Sequence, residues 1–106
     1  MKQVLATEQA PAAIGPYSQG IAAGETVYVS GQLPLDPATG AFPEGIAAQT
    51  AQSLKNIQAI LAQQGMTLAN VVKTTVFLAD INDFAEMNKV YGEFFTQPYP
   101  ARSAVQ

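Results

Sequence analysis

The sequence predicts an α+β domain in which two helices cover one face of a sheet. Segments dense in β-branched residues, Ile21 to Ser30 and Val71 to Ala79, alternate with two proline-free stretches of helical periodicity, Ile46 to Gln64 and Phe84 to Phe95. No stretch approaches the roughly eighteen apolar residues of a membrane span. At 106 residues and 48% apolar content, with no repeat or low-complexity tract, residues 1–106 read as a single domain with one core.

Val4 and Leu5 open a short extended segment, and Pro11, Gly15 and Pro16 exclude regular helix as far as Tyr17. Ile21 to Ala23, Gly24-Glu25 and Thr26 to Ser30 read as strand, tight turn and strand, because Gly24 supplies the backbone freedom the turn needs. Gly31 to Gly45 contains Pro34, Pro37, Gly40 and Pro43 and reads as a loop longer than an idle connection. In Ile46 to Gln64 the spacing of Thr50, Leu54, Ile57 and Leu61 marks one helical face, with Gly65 as its stop. Val71 to Ala79 is apolar on both alternations, with Val72, Val76 and Leu78 facing one way and Val71 and Phe77 the other. This suits a strand covered on both sides. Asp83 and Glu86 have capping-box spacing ahead of a stripe of Phe84, Met87, Tyr91 and Phe95. Pro98 and Pro100 end that helix, and Arg102 to Gln106 begins another strand. Both helices then lie on one face of the sheet. The other face needs apolar cover that no third helix provides, and self-association is the economical source.

Composition excludes several chemistries. Five Lys and Arg against eight acidic residues give a net charge of -3, so no basic surface invites a phosphate backbone, and no nucleic-acid partner is expected. Cysteine and histidine are both absent, which removes thiolate nucleophiles, imidazole bases and the usual zinc ligands. The segment Met1 to Ala13 has the form of neither a signal peptide nor a transit helix, so a cytoplasmic, membrane-free protein is expected. Gly15 and Gly20 have the spacing of a phosphate-loop pair, but Ile21 and Ala22 stand where Lys and Ser/Thr are required. Asp80, Asp83 and Glu86 read as helix-start residues rather than a metal cage. No cofactor and no metal are expected.

The remaining candidates are few. Arg102 is the only arginine and sits in Pro100-Ala101-Arg102-Ser103 at the start of a strand; it is a surface charge, a structural ion pair or a bidentate anchor for a carboxylate. Tyr17 is an aromatic hydroxyl in a loop, either a packed rim residue or a ligand contact. Ser30 and Gly31 mark the end of a hairpin strand, where glycine permits a ligand to approach the backbone or simply ends the strand. Asn88 is a mediocre helix former inside the second helix, either idle or held there by a polar contact.

Five ordered segments together resemble the RidA (reactive intermediate deaminase, YjgF-like) family: Ala12 to Gly20, Val29 to Pro34, Val72 to Leu78, Asn82 to Asn88 and Pro100 to Ser103. The resemblance implies a chorismate-mutase-like α+β fold and a homotrimer with sites between subunits. It also implies hydrolytic deamination of 2-aminoacrylate and 2-iminobutanoate to 2-keto acids and ammonia. It further implies Arg102 and Tyr17 as catalytic residues, with Arg102 clamping the substrate carboxylate, and Ser30, Gly31 and Asn88 as further substrate-binding residues.

The sequence departs from that family at two places. Ala104 stands where many members have cysteine, and the family's further strand beyond Gln106, with a glutamate that positions water, has no counterpart here. The domain is therefore expected to lack its last strand. The alternative is a non-catalytic, small-carboxylate-binding or regulatory trimer of the same family. An RNA-cleaving role, attributed to some members, is opposed by the acidic balance.

Overall fold

The computed structural model describes residues 1–106. The first strand, β1 (Lys2–Leu5), pairs antiparallel with β2 (Gly20–Ala23), which pairs antiparallel with β3 (Thr26–Val29). Gly24 takes φ +61° as the first of two turn residues, and no non-glycine residue has positive φ, the pattern of a glycine-led hairpin turn. The register Val4↔Ile21↔Tyr28 puts these three side chains in one row.

Helix α1 (Ile46–Ala62) ends where the sequence places its stop. Gly65 lies at φ +69°, its N–H donates to Ala62 O at 3.1 Å, and Met66 N–H donates to Leu61 O at 3.0 Å. That bond pair is a Schellman cap and requires a left-handed residue at Gly65. Of the expected stripe, Leu54 and Leu61 are buried and Thr50 and Ile57 half-buried. Asn56 and Ile60 are buried as well, so the covered face is broader than the stripe.

A 3-10 turn at Leu68–Asn70 leads to β4 (Lys73–Phe77), and a second at Ile81–Asp83 leads to α2 (Phe84–Phe94). The Asp83–Glu86 capping box does not form, because α2 continues directly from that second turn and leaves Asp83 at φ -85°, ψ 1° with no side-chain cap. The cap moves upstream to Asp80, whose carboxylate accepts from Asn82 N at 2.9 Å. A capping box is present instead at Thr67 and Asn70. The last strand, β5 (Ala101–Val105), lies parallel to β4, with Thr74 opposite Arg102 and Val76 opposite Ala104.

The strands thus hydrogen-bond as a three-stranded antiparallel set, β1-β2-β3, and a parallel pair, β4-β5. Their inner residues meet both helices. Leu54, Leu61, Leu68, Leu78, Met87, Tyr91 and Phe95 form the larger cluster, with Val27, Val29 and Val76 against it. Leu5, Ala10, Ala22 and Ile60 form the smaller one. α1 joins the two through Leu61 and Ile60. Gly20 makes the second cluster fit: a Cβ there would lie 2.8 Å from Ile60 Cγ2.

Two buried amides hold the irregular segments. Asn56, 0% exposed, donates to Leu33 O at 3.1 Å and Leu35 O at 3.0 Å and accepts from Gln52 Nε2 at 2.9 Å, which ties the long loop to α1. Gln19 accepts from Thr7 N at 2.7 Å and donates to Pro11 O at 2.7 Å, which ties the proline-rich N-terminal segment to β2.

The outer face of the strands is bare within the chain. Tyr28 is 65% and Phe77 78% exposed, and Val4 and Val105 accompany them. The expected cover on both sides of β4 is therefore present on one side only: Thr74 and Val76 face the helices while Lys73, Thr75 and Phe77 are exposed. Neither helix is long and apolar enough to cross a membrane.

Candidate active site

The alternation of β5 decides where its arginine goes. Ala101, Ser103 and Val105 are exposed, whereas Arg102 and Ala104 turn toward the helices. Arg102 there meets one stripe of α2, the residues Phe84, Asn88 and Tyr91 at i, i+4 and i+7. Its Nη1 donates to Asn88 Oδ1 at 2.6 Å. Its Cζ lies 4.7 Å from the centre of the Tyr91 ring and 5.3 Å from that of Phe84. Arg102 thus has an amide oxygen and two rings for partners, not a carboxylate. Tyr91 is itself fixed: its hydroxyl is 2.7 Å from Thr74 Oγ1, on the strand beside Arg102. Asn88, mediocre as a helix residue, has the polar contact that accounts for it.

Tyr17, Ser30 and Gly31 gather elsewhere. Ser30 N–H donates to Gln19 O at 2.9 Å and its hydroxyl donates to Ser18 O, so the end of β3 is pinned to the segment that carries Tyr17. Tyr17, half exposed, and Ser30 line an open cleft of about 400 Å³ together with Lys2, Pro16 and Tyr28. Gly31 follows Ser30, and a Cβ built on it meets nothing within 4 Å, so its backbone is open to an approaching group. The chain brings Arg102 to Asn88 and Tyr17 to Ser30, but the Tyr17 cleft includes neither Arg102 nor Asn88.

Sequence reading missed Thr74, and it placed Phe84 and Tyr91 only in a core stripe. The signal was present in their spacing about Asn88. It also missed Lys2 in the cleft, for which a lone terminal lysine gave no sign. No group of three His, Cys, Asp or Glu side chains is placed to hold a metal ion.

The family model described as endoribonuclease L-PSP matches residues 7–106. A 2-iminobutanoate/2-iminopropanoate deaminase of Salmonella typhimurium is 51% identical over 109 residues, covering 100% of this chain and 85% of the relative. The chain belongs to the RidA family. RidA from an Antarctic Psychrobacter superposes with a TM-score of 0.94 at 49% identity, covering 98% of this chain and 85% of that one. The crystal structure of Escherichia coli TdcF with bound serine superposes at 0.93 and 44% identity, covering 98% and 84%. Two helices on strands of mixed direction are therefore the RidA architecture, as the sequence predicts.

Proposed function

We propose that this RidA-family chain hydrolyses short 2-enamine and 2-imine acids, 2-aminoacrylate and 2-iminobutanoate, to 2-keto acids and ammonia. The observation that carries the reading is Arg102, a half-buried residue whose guanidinium makes an exposed hydrogen bond, has only neutral partners and has its charge left for an anionic ligand. The Salmonella relative supports the reaction class by its name, and the serine bound to TdcF supports a small amino-acid-like ligand.

In this reading Arg102 and Asn88 hold the substrate carboxylate while Tyr17, Ser30 and the Gly31 backbone hold the polar end at the imine. 2-Aminoacrylate first becomes its imine as C3 gains a proton and nitrogen loses one; water then adds to C2, a proton passes from oxygen to nitrogen, the C–N bond breaks and ammonia leaves the 2-keto acid. The imine carbon is already electrophilic, so orientation and polarisation are the protein's contribution.

In the same reading the site is completed between subunits of a homotrimer whose contacts cover Tyr28 and Phe77, which is supported by the exposure of those side chains and by a Tyr17 cleft that Arg102 and Asn88 do not line. Residues 1–106 act as one domain in which β3 and β4, each with a single ladder partner, offer edges for a further strand. Incubation with freshly generated 2-aminoacrylate should accelerate pyruvate release above the uncatalysed rate. No acceleration together with tight 2-ketobutyrate binding would favour the second reading, a carboxylate-binding trimer without catalysis.

A further inference from the structure

We infer that Tyr91 and Phe84 are positioning residues that hold the Arg102 guanidinium ready for a ligand carboxylate, with Thr74 fixing Tyr91. The inference rests on the reading of Arg102 as a carboxylate clamp. A long flexible cation must be ordered before it can present two parallel N–H bonds, and ordering it beforehand removes that entropy from binding. A carboxylate partner could order it, but would occupy the N–H edge the ligand needs. An aromatic ring attracts the cation through its face and leaves the in-plane donors unspent. Arg102 has the second arrangement: rings at 4.7 and 5.3 Å and one hydrogen bond, to the Asn88 amide oxygen.

The Tyr91 ring is placed by the same ladder that carries the arginine. Tyr91 is 6% exposed, so its hydroxyl needs an internal partner, and Thr74 supplies it at 2.7 Å. Thr74 is also the ladder partner of Arg102. Ring and guanidinium are therefore referenced to one pair of strands, and a shift of α2 is resisted at the point where it would misplace the cation.

The test is calorimetric titration of 2-ketobutyrate into the wild type and the variants Phe84→Leu, Tyr91→Leu, Tyr91→Phe and Arg102→Lys. Calorimetry separates Kd from stoichiometry, so loss of folded protein lowers the number of sites, while loss of positioning raises Kd at full occupancy. Phe84→Leu and Tyr91→Leu should raise Kd about three- to thirtyfold, the span of a ring–guanidinium contact, with stoichiometry retained. Tyr91→Phe, which keeps the ring and loses the Thr74 bond, should bind between wild type and Tyr91→Leu, and wild-type Kd there would remove Thr74 from the arrangement. If Tyr91→Leu does not fold, half-buried Phe84 decides the matter. Wild-type Kd in Phe84→Leu, beside weakened binding in Arg102→Lys, overturns the positioning role and spares the clamp. Equal binding by wild type and Arg102→Lys removes the clamp itself, and the inference with it.

Discussion

Thr74 and Arg102 are partners in the parallel β4–β5 ladder, and both reach Tyr91 of α2, one through a hydrogen bond to its hydroxyl and the other across the face of its ring. This arrangement gives the single arginine a fixed place without giving it a counter-ion. Replacing the planar fork by a point charge keeps the charge and loses the two-bond geometry. Arg102→Lys is therefore expected to weaken 2-ketobutyrate binding by about 2 to 5 kcal/mol, with a melting temperature close to wild type. Unchanged affinity in the titration would place the carboxylate elsewhere.

Gly20 tests the packing of the smaller cluster. A methyl group there meets Ile60 Cγ2 at 2.8 Å, with Tyr28 O at 3.3 Å on another side. Ile60 is fully buried and has little room to yield. Gly20→Ala should cost about 1 to 3 kcal/mol by overpacking, read as a lower urea midpoint, and Ile60→Leu in the same chain, which removes the Cγ2 methyl, should return part of that loss.

Asn56 tests the attachment of the long loop. Removing its side chain strands the carbonyls of Leu33 and Leu35 and leaves Gln52 without its acceptor. The three bonds are part-buried and Leu33 is exposed, so water can replace some of them, and Asn56→Leu should cost about 1 to 3 kcal/mol. Amide exchange should quicken first between residues 31 and 45. Uniform loosening across the chain, with the loop no faster than α1, would show that the loop is held by other contacts.

The sequence made the elements legible because its punctuation agrees with its periodicity. Gly24 and Gly65 adopt the positive φ that their turn and cap require, and Pro98 and Pro100 separate α2 from β5. The capping box failed because a short 3-10 turn feeds α2, and spacing alone does not distinguish a helix start from the turn before it. The two-sided cover of β4 was misjudged within the chain because an apolar residue such as Phe77 reads the same whether its own chain or a second subunit covers it. Of the site, Asn88 was legible as a polar misfit in a helix and Arg102 as a lone cation at a strand start. Thr74 was not, since a threonine in a β-branched strand is what propensity already expects.

The proposed site is divided between chains. Tyr17 and Ser30 share a cleft that Arg102 and Asn88 do not line, and in the proposed reading two chains meet to bring all four around one ligand. A Tyr17→Phe chain and an Arg102→Lys chain should each be a poor deaminase. If they are unfolded together and refolded as an equimolar mixture, a site formed by the arginine side of one chain and the tyrosine side of its neighbour is sometimes wild type. Random assembly in a closed ring makes roughly one quarter of the sites intact, and pyruvate release should recover to about that fraction of the wild-type rate. Control mixtures combined without unfolding should stay at the mean of the two parents as long as subunits do not exchange. A refolded mixture that also stays at that mean, although an affinity tag carried by one parent retains the other and so shows mixed trimers, would place all four residues in a site within one chain.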